Sequence, residues 1–307
     1  MPRTLLHAFM AALCALTALQ PLQAEPVTVE TARGPVNVAE IPKKIVVYDI
    51  AALDTLTALG VEIAGTPDNV YVDYLDEVRA AAEPVGTLFE PDFEAVYALQ
   101  ADLIVTGARS SKQTEALAEL APTIDMTISG DRLVEQARAR LAAYGALFGK
   151  QELAAKLDAD LQASIDTVKN AAKGAGKALI VLTNGPKISV YGPGSRFGWM
   201  HTDLGIEPAS ADIHASNHGE AVSFEFIRDL NPDWLLVVDR ASAVGANSAS
   251  AKATLDNQLV AETTAWKKGQ VIYLDPGRIY ISSGGYQALQ ATLGELADGL
   301  SGQAGSQ

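Results

Sequence analysis

Short apolar runs alternate with amphipathic stretches along most of the chain. In its first part the predicted strands are residues 45–49, 61–65, 103–106 and 123–126, and the predicted helices are 51–59, 112–120 and a short one that carries Glu94. Gly60 suits the C-cap of the first helix, and Asp92 suits the N-cap of the short one. Residues 25–40 form a polar lead-in without a predicted element. The alternation predicts a small α/β lobe over residues 43–130.

The same alternation returns after residue 177. The predicted strands there are 178–182, 188–191, 234–238 and 271–274, and the predicted helices are 224–230, 251–259 and 285–300. Residues 192–199 form a glycine-rich loop that opens a helix ending at Leu204. This pattern predicts a second α/β lobe over residues 177–302.

Between the two lobes the pattern changes to that of a long helix. Residues 131–173 contain no proline, and Leu153, Leu157 and Leu161 recur at the i, i+4 spacing of one helix face. A continuous helix of this length would extend about 60 Å. The pattern predicts a stiff connection between the lobes, with a break allowed near Gly149. The alternative, two ordinary helices of the first lobe, stays open.

One segment of the chain occurs twice, as an internal repeat. Residues 224–240 repeat residues 93–109 without a gap, at an offset of about 131 positions. The matched pairs are Phe93 and Phe224, Glu94 and Glu225, Leu99 and Leu230, Asp102 and Asp233, and Arg109 and Arg240. Each copy predicts a short helix, a turn, a buried strand and an arginine just past the strand. Ligands of open α/β sheets bind beyond the carboxyl ends of the strands. We therefore expect two similar α/β lobes joined by a long α-helix, with a ligand cleft between them.

The N-terminus has the features of a secretory signal peptide. Arg3 precedes an apolar run over residues 5–19, and Ala24 supplies a small residue for cleavage. The run is short for a membrane anchor, which is the alternative. Cys14, the single cysteine, follows Leu13, which does not fit a lipoprotein signal. The sequence predicts a periplasmic protein, with residues 1–24 removed and no thiol in the mature chain, which excludes cysteine catalysis and disulfides.

The acidic composition restricts the partners. A net charge of −14 and a pI of about 4.7 argue against nucleic acid. Against this background Arg109, Arg196 and Arg240 stand out as candidates for binding an anion, since guanidinium groups offer forked donors to carboxylates or catecholates. Arg196 lies in the glycine-rich loop, which lacks the lysine and the glycine spacing of a phosphate loop.

Two further residues could contact a metal in the ligand. His218 lies in a polar loop before the second repeat helix, and Tyr280 lies in a predicted loop before the last helix. An imidazole and a phenolate could complete the coordination of Fe³⁺ when a chelator fills only part of its shell. Glu94 and Glu225 either stabilise their helix N-termini or form a matched acidic pair that docks onto a two-fold membrane partner.

Several segments together resemble a known family. They are residues 46–56, residues 85–94, the glycine-rich residues 191–199 and residues 218–225, of which the glycine-rich segment is the most specific. They resemble the periplasmic substrate-binding proteins of siderophore ABC importers, the bilobed class III with a single long connecting helix. The resemblance is greatest to the group that takes ferric catecholate siderophores, and it covers nearly all of the mature chain.

The resemblance implies a role for each candidate residue. It implies that Arg109, Arg196 and Arg240 line the cleft for an anionic ferric chelate, and that His218 and Tyr280 bind Fe³⁺ of a tetradentate siderophore. It further implies that the two glutamates of the repeat meet arginines of an inner-membrane ABC permease. The implied protein is a monomer without an intrinsic cofactor. The sequence departs from the family around Tyr280, where Ile279 replaces an aromatic residue.

Other functions remain as alternatives. The same fold could deliver ferric citrate, haem or cobalamin. An exported α/β enzyme would need a nucleophile with a base, or a metal cluster, and the sequence contains no H-E-x-x-H or G-x-S-x-G motif. A metal chaperone or adhesion module would favour several histidines or acids in one site. We therefore predict a binding protein and not an enzyme.

Overall fold

The computed structural model describes residues 26–129 and 132–302, so the predicted signal peptide lies outside the described residues. The strands are β1 (Val27–Thr31), β2 (Gly34–Val38), β3 (Ile45–Val47), β4 (Gly65–Thr66), β5 (Glu83–Pro84), β6 (Leu103–Thr106), β7 (Thr123–Asp125), β8 (Ala178–Asn184), β9 (Lys187–Tyr191), β10 (Glu220–Ala221), β11 (Trp234–Asp239) and β12 (Val271–Leu274). The α-helices are α1 (Ile50–Ala58), α2 (Asp76–Ala81), α3 (Phe93–Leu99), α4 (Thr114–Ala118), α5 (Leu133–Leu147), α6 (Gln151–Ala172), α7 (Trp199–Thr202), α8 (Phe224–Leu230), α9 (Arg240–Ala243), α10 (Ala251–Leu255), α11 (Gln258–Ala261), α12 (Thr264–Lys267), α13 (Pro276–Tyr280) and α14 (Tyr286–Leu300). No helix within these two stretches is long and apolar enough to cross a membrane.

Two five-stranded sheets form the two lobes. The first has the order β5-β4-β3-β6-β7 and is parallel throughout. The second has the order β10-β9-β8-β11-β12, in which β9 runs antiparallel to both of its neighbours. The interior strands β3 and β11 are buried at every position, as expected for strands covered on both faces. The predicted architecture of two α/β lobes is confirmed.

The sequence repeat is also a structural repeat. Helices α3 and α8 begin and end at matched positions, and each is followed by a left-handed residue, Gln100 with φ 51° and Asn231 with φ 47°. The carboxylate of Asp102 accepts a hydrogen bond from the backbone amide just before β3, and that of Asp233 accepts one from the amide just before β8, each at 2.9 Å. Each aspartate therefore ties the turn after its helix to the start of the neighbouring strand.

Two predictions in the first lobe were wrong. The polar lead-in forms the hairpin β1–β2, in which Val29 is fully buried; the apolar residues occupy alternate positions and one face packs under α5. The strand predicted at 61–65 is reduced to β4. Gly60 has φ 67° and Val61 donates its amide to Leu56, so these residues end α1 and cannot join the sheet.

The predicted connection of residues 131–173 is not one continuous helix. It consists of α5 and α6, separated at Gly149, which has φ 65°. The two helices approach closely at Gly145, where a Cβ atom would lie 2.5 Å from the Cβ of Ala154. Helix α5 begins against the core of the second lobe and ends against that of the first, and the 22-residue α6 runs back to the second lobe, a rise of about 33 Å. The connection is therefore a pair of antiparallel helices and not a single long helix.

A buried carboxylate joins the lobes at their base. Asp54 on α1 is fully buried and accepts hydrogen bonds from the backbone amides of Gln287 at 2.7 Å and Ala288 at 2.9 Å, in the first turn of α14. The hydroxyl of Tyr74 donates to the same carboxylate at 2.6 Å. Gly285 leaves no room for a side chain, because a Cβ there would lie 2.6 Å from the Asp54 Cγ. A residue of the first lobe thus caps the last helix of the second.

This carboxylate should make stability depend on pH. Burial raises the pKa of Asp54 to about 7, above its value in the unfolded chain. Between about pH 4 and about pH 7 the Asp54 carboxyl of the folded protein therefore holds a proton that the unfolded chain has lost. The stabilisation that Asp54 contributes is complete below about pH 4 and is lost as the pH rises through about 7. We expect the stability advantage of the wild type over Asp54→Asn to shrink by roughly 1–3 kcal/mol between about pH 4.5 and about pH 8. Urea unfolding at both pH values measures this difference; parallel pH profiles of the two proteins would contradict it.

Candidate functional site

A cleft of about 490 Å³ lies between the lobes, beyond the carboxyl ends of the central strands. It is lined by all three predicted arginines, Arg109, Arg196 and Arg240, together with Tyr280. A smaller cavity of about 180 Å³ shares Arg196, Arg240 and Tyr280 with it and adds His218. The structure therefore brings together the five residues that the sequence predicted for ligand and metal binding.

The arginines converge on one tyrosine. Arg109 Nη2 donates to the backbone carbonyl of Tyr280 at 2.9 Å, and Arg196 Nη2 donates to the same carbonyl at 2.7 Å. Arg240 Nε donates to the phenol oxygen of Tyr280 at 3.0 Å. The guanidinium carbons of Arg109, Arg196 and Arg240 lie 5.4, 4.3 and 5.8 Å from the centre of the tyrosine ring. Each distance is within the range of a cation–π contact.

The repeat explains where two of these arginines lie. Arg109 follows β6 after Ala108, whose φ of 46° turns the chain at the strand end, and Arg240 begins α9 directly after β11. The side chain of Asn184 helps to hold Arg240, because its Oδ1 accepts a hydrogen bond from Arg240 Nη1 at 3.1 Å. Equivalent positions in the two lobes thus supply one cation each to the same cleft.

Asp49 was not identified from the sequence. It follows β3, caps α1 by accepting a hydrogen bond from the Ala52 amide at 3.2 Å, and lines the cleft. Burial raises the pKa of Asp49 to about 6, although the charge of Arg109 opposes the rise. Gly107 is required beside it, since a Cβ there would lie 2.7 Å from the Asp49 Cγ. The position of an aspartate directly after a buried strand was the signal that could have revealed it.

The cleft carries an excess of positive charge. Burial lowers the pKa of Arg109, and repulsion from Arg196 lowers it further. These causes indicate that partly buried guanidinium groups of the same charge lie close together. Asp49, the acid that lines the larger cavity, is itself drawn toward its neutral form by burial. An anionic ligand would relieve the repulsion and take the place of water around the guanidinium groups.

Tyr280 lies on a helix and not in the predicted loop. Helix α13 begins at Pro276, after Asp275, whose side chain accepts a hydrogen bond from the Arg278 amide at 2.9 Å. An aspartate N-cap followed by proline is a helix-start signal that the sequence reasoning missed. Ile279 is almost fully buried in the core of the second lobe, so its neighbour Tyr280 is turned toward the cleft.

His218 lies on an exposed loop at the edge of the smaller cavity, where its backbone amide donates to Ser216 Oγ at 3.1 Å. Among residues 26–129 and 132–302 no group of three or more His, Cys, Asp or Glu side chains could hold a metal ion. Iron binding by His218 and Tyr280 remains a prediction, which would require the chelator to supply the other ligands.

Glu94 and Glu225 lie outside the cleft. Both are exposed in the first turn of their helices, α3 and α8. A hydrogen bond from Ser223 is the main cause that lowers the pKa of Glu225. The predicted N-cap of α3 is confirmed, since the Asp92 side chain accepts from the Glu94 and Ala95 amides, each at 3.0 Å. The role of Glu94 and Glu225 in docking stays a prediction.

A bilobed α/β protein with a cationic cleft at the facing strand ends is a solute-binding protein in its architecture. Comparison with known proteins agrees. Residues 45–277 match the family described as "Periplasmic binding protein", and the chain belongs to that family.

Three relatives show what this chain is similar to. The petrobactin-binding protein YclQ of Bacillus subtilis is 38% identical over 268 residues, which cover 86% of this chain and 84% of the relative; its crystal structure has a TM-score of 0.84 over 90% of this chain and 99% of its own. The ferric-anguibactin-binding protein FatB of Vibrio anguillarum is 32% identical over 288 residues, 92% of this chain and 89% of its own. The crystal structure of the catecholate-siderophore binding protein VctP of Vibrio cholerae has 30% identity and a TM-score of 0.81, covering 89% of this chain and 99% of its own.

Proposed function

We propose that the protein captures a ferric siderophore of the catecholate type and delivers it to an inner-membrane ABC transporter. The observation that carries the proposal is the convergence of Arg109, Arg196 and Arg240 on Tyr280 in the interlobe cleft. Three guanidinium groups offset the negative charge of a ferric catecholate, and aromatic ligand rings can contact the same cationic surface. The description of VctP as a catecholate-siderophore binding protein supports this class of ligand, and the names of YclQ and FatB, which bind petrobactin and ferric anguibactin, support a chelate as the cargo.

In this proposal Fe³⁺ arrives as part of the cargo. His218 and Tyr280 line the same small cavity, so they can offer a nitrogen and an oxygen ligand to an iron that the chelator coordinates incompletely. A hexadentate siderophore would leave no position for them and would be held by the arginines alone. The protein itself would carry no resident cofactor.

The predicted export signal and the acidic net charge support the rest of the proposal. Removal of residues 1–24 would release the protein into the periplasm, where it acts as a monomer and meets the permease. The net charge of −14 disfavours nucleic acid as a partner. Because the described residues offer a binding cleft and the family consists of binding proteins, we propose no enzymatic step.

Fluorescence titration of the mature protein with a panel of ferric chelates tests this function. The panel contains bis-catecholate, tris-catecholate, hydroxamate and citrate complexes, with haem and cobalamin as the alternatives that share the fold. We expect quenching by the catecholates with a Kd below about 1 μM, which corresponds to about −8 kcal/mol. Tight binding of citrate, haem or cobalamin alone would overturn the catecholate assignment. Binding of none of them would overturn the transport proposal.

The docking role of the matched glutamates gives a further prediction. We expect the double variant Glu94→Ala and Glu225→Ala to bind the ferric chelate normally, because both side chains lie outside the cleft, and to lower uptake by about tenfold through lost charge complementarity with the permease. Uptake into cells that lack the native protein measures the effect. The matched control is the double variant of two exposed glutamates on helices outside the repeat, Glu77→Ala in α2 and Glu152→Ala in α6. Equal uptake by the two double variants would exclude a docking role.

A further inference from the structure

One large aromatic side chain is left exposed at the cleft. Among the described residues the exposed large hydrophobic side chains are Ile41, Phe89, Phe93 and Tyr97. Of these only Phe89, which is 56% exposed, lines the interlobe cavity. An exposed phenylalanine lacks the stabilisation that burial usually gives this side chain. At the edge of a ligand cleft, a bound ligand could supply that burial.

The backbone that presents Phe89 is firmly held. The Thr87 hydroxyl accepts hydrogen bonds from the amides of Phe89 at 3.2 Å and Glu90 at 3.0 Å, and Gln113 Nε2 donates to the Phe89 carbonyl at 3.0 Å. Gly86 closes the turn with φ 88°, where a Cβ would lie 2.6 Å from backbone atoms of Glu90 and Asp92. The ring is therefore presented by a pre-organised loop, which reduces the entropy lost when a ligand contacts it.

The cavity that Phe89 lines also has apolar side chains, which offer no charge. They include Ala51, Ala108 and Ile128. The cleft thus combines a cationic surface, which suits the anionic oxygens of a chelate, with an apolar surface that contains one exposed ring. A ferric citrate complex presents carboxylates and hydroxyls and would leave this ring uncovered. A chelate with aryl groups would cover it.

We propose that Phe89 is a specificity-determining residue, whose ring covers an aryl group of the bound chelate while the arginines hold its charge. This inference rests on the proposed function and deepens it, because it assigns the selection of aryl chelates over aliphatic ones to a single side chain. Offset or edge-to-face contacts between two rings prefer centroid separations of about 4.5–7 Å and add to the gain from burial alone.

Titration of Phe89→Ala with a ferric bis-catecholate and with ferric citrate tests the proposal. We expect the catecholate Kd to rise about tenfold and the citrate Kd to change by less than about twofold, because only the aryl ligand loses a ring contact. Phe93→Ala is the matched control, since Phe93 is an exposed phenylalanine nearby that does not line the cleft. It should bind like the wild type.

Two further variants separate a ring contact from a general effect of size. Phe89→Tyr should restore catecholate binding to within about twofold of the wild type, whereas Phe89→Leu should remain weaker by about fivefold. Wild-type catecholate affinity in Phe89→Ala or in Phe89→Leu would overturn the inference, as would an equal loss for both chelates. If the wild type itself binds no catecholate, the proposed function fails and this inference fails with it. If the wild type binds the catecholate and Phe89→Ala binds it with the same Kd, only this inference fails and the proposed function stands.

Discussion

Replacing Arg196 by alanine is expected to weaken binding of a ferric catecholate by about 30-fold to 1000-fold, the cost of about 2–4 kcal/mol for removing one partner of a partly buried charged contact. Arg196 lies nearest to the Tyr280 ring, at 4.3 Å, and its Nη2 donates to the Tyr280 carbonyl at 2.7 Å. The substitution therefore removes a positive charge and also a contact that positions the tyrosine. Equilibrium titration by fluorescence quenching measures the loss.

Two matched variants sharpen this test. Arg196→Lys keeps the charge but loses the planar fork, so its affinity should fall between that of the wild type and that of the alanine variant. Arg79→Ala removes a surface arginine that pairs with Asp76 at 3.6 Å on its own helix, and it should bind like the wild type. Wild-type affinity in Arg196→Ala would remove Arg196 from the ligand site.

Replacing His218 by alanine or Tyr280 by phenylalanine should discriminate between chelators by denticity. We expect each change to weaken a tetradentate ferric bis-catecholate by about 10-fold to 100-fold, because an iron ligand is lost, and to affect a hexadentate tris-catecholate by less than about threefold. The visible charge-transfer band of the bound bis-catecholate should shift in the Tyr280 variant. Titration and visible absorption of the same samples check both statements.

The His218 prediction has its own control and its own contradiction. His214 lies four residues earlier in the same connection between α7 and β10 but lines neither cavity, so His214→Ala should leave both affinities unchanged. Equal losses for tetradentate and hexadentate ligands would show that His218 and Tyr280 act without binding iron.

The internal repeat explains why much of the fold and two of the three cleft arginines were predictable. Once residues 93–109 and 224–240 are known to match, the equivalent strands place Arg109 and Arg240 at equivalent strand ends. Local signals suffice for such elements, because a buried apolar run and a helix cap each act within a few residues. The aspartate N-cap of α3 was predicted in the same way.

The remaining features depend on contacts between distant parts of the chain. The sequence predicted the three arginines and Tyr280 separately. It did not predict that all three arginines contact the tyrosine, because this depends on how α13 places Tyr280 beside distant parts of the chain. The hairpin β1–β2 was missed because its alternate valines are buried by distant parts of the chain, among them α5, more than 90 residues later. Phe89 was missed for a similar reason, because its neighbours in the sequence do not reveal that it lines a cleft.

The break between α5 and α6 at Gly149 could not be located from helix periodicity. The composition of residues 131–173 predicted helix correctly on both sides of Gly149, and the i, i+4 leucines supported it after that residue, but neither signal shows where a chain turns back. The left-handed φ of Gly149 reverses the direction and lets Gly145 pack against Ala154. A small residue on each helix at the point of closest approach was the signal for this packing.

The most direct test of the account is a crystal of the mature protein soaked with a ferric bis-catecholate, with diffraction recorded at the iron absorption edge. We expect a single anomalous iron peak in the interlobe cleft, with Arg109, Arg196 and Arg240 around the chelate. His218 and Tyr280 should lie within coordination distance of the metal. An iron peak in the cleft beyond reach of His218 and Tyr280 would keep the arginine site and reject iron binding by these two residues. A peak elsewhere on the protein, with the cleft free of iron, would contradict the central claim.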